Sequence, residues 1–111
     1  MTDLQTQDQL EALLQRGEFV HAQVSPVVVV YFTAEWCGAC RRLNLQKILQ
    51  TFPNFKWYVC DVDENNYSAG YCGVRSIPSF MTIINGKPSQ VFTNSDTDSV
   101  IYWIQQQTQK F

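Results

Sequence analysis

Cys37-Gly38-Ala39-Cys40 sets two thiols three positions apart, one helical turn, so the second sulfur can reach the first. At that spacing a disulfide opens and closes with little movement of the backbone. The chemistry to expect is attack by a Cys37 thiolate on the disulfide of another molecule, giving a mixed disulfide. Cys40 then attacks the Cys37 sulfur and releases the reduced product. Zinc sites use the same spacing but need further ligands. Cys60 and Cys72 are separated by eleven residues and His21 is the sole histidine, so no second close-spaced ligand pair exists. No metal is therefore expected, and no cofactor beyond the cysteine pair itself.

The pair must be presented by something rigid. Val27 to Phe32 is an unbroken β-branched and aromatic run, which suits a central strand covered on both faces. Thr33 to Cys40 follow directly. Leu45, Ile48, Leu49 and Phe52 then recur at helical spacing until Pro53-Asn54. Cys37 thus falls at a strand-to-helix turn, where free N–H groups and the positive end of a helix dipole favour a thiolate. On this reading Cys37 is the more exposed and more acidic sulfur, and Cys40 lies inside the first turn.

The remaining elements follow from periodicity and punctuation. Thr6 and Gln9 have capping-box spacing ahead of Leu10, Leu13 and Leu14, with Gly17 as the stop signal. Residues 18–23 are ambiguous, and Ser25-Pro26 interrupts the chain. Phe55 to Val62 reads as a strand, Asp63 to Gly73 as a polar stretch holding a short helix, and Ser79 to Ile84 as a third strand. Asn85-Gly86 signals a type I′ hairpin, so Ser89 to Thr93 should return antiparallel. Ser95 or Asp96 caps a last helix with Val100, Ile101 and Ile104 inward. Alternation in the first half calls for parallel strands and crossover helices, and the hairpin makes the sheet mixed. The fold class is α/β: a central mixed β-sheet flanked by helices on both faces, one domain over residues 1–111.

Composition narrows the function. A chain of 111 residues buries about two-thirds of its unfolded surface, enough for a self-sufficient core. The net charge of −2 argues against an electrostatically driven nucleic-acid or polybasic membrane protein. The longest strongly apolar run, Val27 to Phe32, is far short of the about 20 residues of a membrane span. Met1 to Gln9 are polar and acidic, unlike an export signal. The expected location is cytoplasmic, a reducing setting in which a Cys-x-x-Cys pair is catalytic or metal-binding rather than structural.

The residues resemble the thioredoxin family. Trp36-Cys37-Gly38-Ala39-Cys40, preceded by Ala34-Glu35, is similar to its active-site segment. Gly73-Val74-Arg75-Ser76-Ile77-Pro78 is similar to the approach to its cis-proline, and Asn85-Gly86 to its hairpin. The resemblance implies a protein-disulfide oxidoreductase of the thioredoxin-like fold, with Cys37 as nucleophile and Cys40 as resolving thiol. It implies that Pro78 is cis and that Trp36, Gly38, Ala39, Ile77, Pro78 and Asn94 build the groove for the client chain. The implied partners are disulfide-containing client proteins and a thioredoxin reductase-type electron donor, with the chain itself a monomer.

Several positions depart from the family pattern. Ala39 stands where proline is usual, which should relax the turn and make the couple more oxidising. Tyr31 occupies the position of a buried acid in the proton relay, and the nearby lysine position is Val59. Leu45 replaces a helix-kinking proline, so the helix after the pair should be straighter. Asn94 replaces a groove glycine. A net oxidant or isomerase is therefore a second reading, and a binding or assembly subunit with an incidental redox pair a third. Outside the pair, Cys60 reads as an inert buried residue, and Cys72, close to Pro78 in sequence, as a thiol that is redox-active if exposed. Arg75 reads as a substrate contact or, at least as readily, a solvated charge, and Asp61, Asp63 and Glu64 as a solvated acidic edge in preference to a surface that steers basic partners.

Overall fold

With four consecutive valines followed by Tyr31 and Phe32, the strand β2 (Val27–Thr33) has no polar face, and its residues Val27 to Phe32 are all buried. It lies at the centre of the sheet in the computed structural model, which describes residues 1–16 and 27–109. Around it, in chain order, are β1 (Thr2–Asp3), α1 (Gln7–Leu13), a 3-10 helix (Ala39–Arg42), α2 (Leu45–Thr51), β3 (Lys56–Asp61), α3 (Asn66–Tyr71), β4 (Ser79–Ile84), β5 (Lys87–Pro88), β6 (Phe92–Thr93) and α4 (Thr97–Thr108). The sheet order is β1-β3-β2-β4-β5, with β6 also on β4. β2 pairs parallel with β3 and antiparallel with β4. The expected mixed sheet is thus present, with one strand added at its edge, β1, too short to read from sequence.

Alternation along β2 divides the interior in two. Val28, Val30 and Phe32 pack with Leu10, Leu13 and Leu14 around α1 and with Ala69 of α3. Val29 and Tyr31 pack with Ile48 and Phe52 around α2 and with Val100 and Ile104 of α4. Each fully buried large apolar side chain contributes about 1.5–3 kcal/mol, so these two clusters hold the helices on both faces of the sheet.

Local signals account for most ends. Thr6 accepts from the Gln9 N–H at 3.2 Å while the Gln9 side chain accepts from the Thr6 N–H at 3.0 Å, the reciprocal box expected of that spacing. The helix it starts stops at Leu13, with Gln15 at φ 55°. The proposed stop at Gly17, residues 18–23 with His21, and Ser25-Pro26 lie outside the described residues. Asn85 and Gly86 both take positive φ, 52° and 81°, as a type I′ turn demands.

Two expectations need correction. The return strand does not run from Ser89 to Thr93. Lys87 and Pro88 pair with Ile84 and Ile83, and pairing resumes at Phe92 and Thr93 with the register shifted by one residue. Between them the Ser89 hydroxyl accepts the Thr82 N–H at 3.0 Å in place of a backbone carbonyl, which makes the bulge. The helix after the cysteine pair is not straight either. Leu43 is extended at ψ 137°, and Asn44 starts a new helix by accepting the Lys47 N–H at 3.0 Å. The Asn44 N–H is itself held by Thr97 Oγ1 at 2.8 Å, so α4 fixes the break even without a proline.

Candidate active site

The turn after β2 carries the cysteine pair. The Cys37 N–H donates to the Ala34 carbonyl at 3.1 Å and closes the turn. The Cys40 N–H points back at the Cys37 sulfur, 3.1 Å away. Cys37 and Cys40 are joined by a disulfide with their Cα atoms 5.3 Å apart. Only a single 3-10 turn follows before the break at Leu43, so a long helix dipole does not act on Cys37. The Cys40 N–H does, and a donor at this distance favours the thiolate once the bond is reduced.

Exposure of the two sulfur residues is the reverse of the sequence expectation. Cys37 is 3% exposed and Cys40 is half-buried. The Ala34–Cys37 turn folds Cys37 back against the end of β2, while Gly38 to Cys40 rise toward solvent. Gly38 is exposed with open space where a side chain would stand, and Ala39 is half-buried beside it.

Trp36 is 66% exposed and is held in place from behind. Its indole Nε1–H donates to Asp63 Oδ2 at 2.6 Å. Asp63 in turn sits in a turn set by Asp61, whose Oδ1 accepts the Asp63 and Glu64 N–H groups at 2.9 and 3.3 Å. From sequence Asp63 reads as a solvated acidic edge or a steering charge, yet an Asp-x-Asp at the end of a strand is the signal of such a turn. Trp36 and Ile77 line one cavity of about 430 Å³, with Val62, Ala69, Val74, Arg75 and Ser76 completing its wall.

The Ile77-Pro78 bond is cis, as the family resemblance implies. Pro78 is buried and Ile77 half-buried. Pairing of Phe32 with Ser79 sets Pro78 beside the carboxyl end of β2, where the Cys37 turn emerges. Ser79, fully buried, makes a short hydrogen bond to the Ser76 carbonyl at 2.5 Å and meets Thr93 Oγ1 at 2.6 Å. These two hydroxyls tie the proline loop to β6, and nothing in the sequence singled them out. The Asn94 N–H donates to the Pro78 carbonyl at 3.3 Å. Its side-chain Oδ1 is occupied by the Asp96 N–H at 2.8 Å, so Asn94 braces the loop with its backbone and the start of α4 with its side chain.

Tyr31 is 5% exposed and stacks on Phe80 with ring centroids 4.9 Å apart. Burial pushes its phenol above the ordinary value, partly offset by a hydrogen bond with the Thr33 side chain. It meets the Thr33 side chain and the Phe80 ring, and no hydrogen bond joins it to Cys40. Cys60 is fully buried, its thiol pushed up to about 12 by burial and then by the neighbouring Cys72 and Asp61. Cys72 is half-buried at the end of α3 and is pushed up to about 11 by burial, with Arg16 acting the other way. It lines a cavity with Leu14, Arg16 and Pro88 rather than the one beside Trp36. No group of three or more His, Cys, Asp or Glu side chains lies together as metal ligands would among the described residues. Among them, too, no helix is long and apolar enough to cross a membrane.

A mixed sheet of this order, with a Cys-x-x-Cys disulfide after the central parallel strand and a cis-proline opening the antiparallel neighbour, defines a thioredoxin-fold protein built around a redox pair. The chain belongs to the thioredoxin family, whose model matches residues 12–106. It is 40% identical over 76 residues to a thioredoxin H-type of Ricinus communis, an alignment covering 67% of this chain and 61% of the relative. The crystal structure of Malassezia sympodialis thioredoxin is 27% identical, covers 95% of this chain and 90% of its own, and has a TM-score of 0.76. Oxidised mitochondrial thioredoxin 3 of Saccharomyces cerevisiae shares the fold with a TM-score of 0.80 at 24% identity, over 96% of this chain and 94% of its own. Matched segments span between 26% and 61% of the length of several curated relatives.

Proposed function

We propose that this chain is a protein-disulfide oxidoreductase that reduces disulfides of client proteins. The observation that carries the reading is the Cys37–Cys40 disulfide at the end of β2, with the Cys40 N–H on the Cys37 sulfur and the Ile77-Pro78 loop alongside. In the reduced chain the Cys37 thiolate attacks a client disulfide. One client sulfur leaves as a thiolate and takes a proton, and Cys37 is joined to the other. The Cys40 thiolate then attacks the Cys37 sulfur, the mixed disulfide breaks, and the second client thiol leaves. Two electrons pass from the pair to the client, and the product is the disulfide seen here. A reductase-type donor in a reducing compartment restores the dithiol.

Trp36 and Ile77 form one wall for the client, and Gly38 leaves room for a close approach of its backbone. Tyr31 stands at the proton-relay position, but its raised phenol is a poor acceptor near neutrality. The test is insulin reduction with dithiothreitol by wild type and by Cys37→Ser/Cys40→Ser. Acceleration by wild type and none by the double variant is expected, and equal rates would overturn the reading. Equilibration of the pair with glutathione fixes the net direction. A potential near about −270 mV makes the chain a reductant, whereas one near about −120 mV would make it an oxidant.

A further inference from the structure

The Ile77-Pro78 loop is flanked by a groove on each face of the sheet. One lies against α3 and holds Trp36 and Ile77, with Arg75 its only charged lining residue. The other, of about 530 Å³, begins at Asn94 and runs along α4 past Phe92, Tyr102 and Trp103, with Asp96 and Asp98 at its rim. The hydrogen bond from the Asn94 N–H to the Pro78 carbonyl, 3.3 Å, makes this second groove continuous with the proline loop.

The second groove is aromatic along α4 and acidic at its rim, where Asp96 and Asp98 also border a neighbouring hollow with Arg42 and Lys47. Phe92 and Trp103 stack with centroids 5.0 Å apart and planes 6° from parallel. Tyr102 beside them is 64% exposed, a large apolar surface left open to solvent. No basic residue lines the groove. Lys47 reaches Asp98 at 3.0 Å, but both side chains are well exposed, which leaves that pair weak and exchangeable. Asp96 uses Oδ2 to hold the Ser99 N–H and hydroxyl at 2.9 and 2.8 Å, which fixes its carboxylate at the mouth of the groove. Aromatic faces bordered by carboxylates attract an ammonium or guanidinium and repel an anion.

Resting on the oxidoreductase reading above, we propose that the groove of Phe92, Asp96, Tyr102 and Trp103 is a client subsite for a lysine or arginine side chain near the client's reacting cysteine. An extended segment advances about 3.3 Å per residue, so a basic side chain a few positions from that cysteine lies along the chain rather than at the reacting sulfur. The subsite selects among clients; the sulfur chemistry stays with Cys37 and Cys40.

The probes are peptides holding one cysteine in a disulfide with glutathione, alike except for lysine, glutamine or glutamate three positions before or after that cysteine. Reduction rates are referred to bis(2-hydroxyethyl) disulfide, an uncharged substrate too short to reach the groove. In one of the two placements, kcat/KM is expected to fall from lysine to glutamine to glutamate, by about threefold to tenfold overall. Asp96→Asn keeps a good helix cap while removing the charge, and Tyr102→Ala changes an exposed position. The Asp96→Asn/Tyr102→Ala variant should level the three peptides. Equal rates for lysine and glutamate peptides in wild type, or a preference that survives in the variant, would overturn the subsite. Failure of wild type to reduce bis(2-hydroxyethyl) disulfide overturns the oxidoreductase reading instead. The groove is then read by titrating the oxidised protein with the serine analogue of the lysine peptide. Shifts at the Tyr102 and Trp103 amides support a cation site, and no shifts refute it.

Discussion

Two pairs of cysteines share this fold, each with one buried and one half-buried member, and differ in what meets the sulfur. Cys37 and Cys40 stand where β2 ends and the backbone turns, bonded to each other, with an amide N–H aimed at one sulfur. Cys60 and Cys72 lie with the α1 and α3 cluster, one fully buried and one half-buried, both free and both with thiols pushed well above the ordinary value. The residue type is the same. Burial does not separate them, since Cys37 is 3% exposed; what differs is the amide donor aimed at the Cys37 sulfur. On the proposed function, reactivity follows place in the fold: the thiol at the strand end has an amide aimed at its sulfur, and the thiols packed with α1 and α3 hold their protons.

The largest effect that can break this comparison is removal of a single sulfur. Cys37→Ser should abolish turnover of disulfide substrates, whereas Cys60→Ala/Cys72→Ala should retain it within about twofold. Loss of turnover in the second variant would place the inner thiols in the chemistry and end the distinction.

The next largest is a pH effect that begins with the inner pair, below the range in which the buried Tyr31 phenol adds to it. An ordinary thiol titrates near about 8.5. Folded Cys72 holds its proton to about 11 and Cys60 to about 12. Above about pH 8.5 the unfolded chain therefore binds fewer protons than the folded one, and stability falls with rising pH until both folded thiols have ionised. Below about pH 8.5 the two thiols contribute no slope. Urea unfolding of the reduced protein between pH 7 and 11 should show the decline, and Cys60→Ala/Cys72→Ala should flatten it. A decline of equal steepness in both proteins would show that the inner thiols are not insulated. Alkylation at neutral pH gives the matching reading, with label on the active pair and none on Cys60 until the chain unfolds.

Tyr31→Asp sharpens the contrast from the other side. Tyr31 packs in the α2 and α4 cluster on Phe80, an aromatic ring at the position where the family resemblance implies an acid as proton acceptor. Resolution by Cys40 should then be slow at pH 7 and speed up with pH. An aspartate at this position should raise the neutral rate, by up to about a hundredfold, and lower stability by about 1–3 kcal/mol, the cost of a buried group without a partner. Stopped-flow release from a Cys37-linked mixed disulfide checks it. An unchanged rate and pH profile would mean that bulk water takes the proton.

How much of this was legible depended on range. The β2 run, the Thr6–Gln9 box and the Asn85-Gly86 turn are local, and each formed where its residues stand. The pair itself and Pro78 were legible as motifs. Distant partners hid the rest. Trp36 is held by Asp63, 27 positions away, and the proline loop by Thr93, 14 positions from Ser79. The greater burial of Cys37 follows from the closure of the Ala34 turn, which spacing alone does not reveal.

The break at Leu43-Asn44 is the clearest such case, and it gives the smallest and most local prediction. Leu45, Ile48, Leu49 and Phe52 continue the helical period without interruption, so periodicity sees one helix. The structure ends the 3-10 turn at Arg42 and restarts at Leu45 because Asn44 is captured twice, by its own side chain on the Lys47 N–H and by Thr97 on its N–H. That break leaves the turn of Cys40 short and uncoupled from α2, so the only donor of this segment that meets the Cys37 sulfur is the Cys40 amide. Asn44→Ala removes the cap and should cost about 1 kcal/mol. Asn44→Asp keeps it and should cost little. If the break also isolates the pair from the α2 dipole, Asn44→Ala lets the two helical segments merge and lowers the Cys37 pKa, read as faster alkylation near pH 6. A loss of stability with no change in alkylation would leave the cap purely structural and place the control of Cys37 wholly in its own turn.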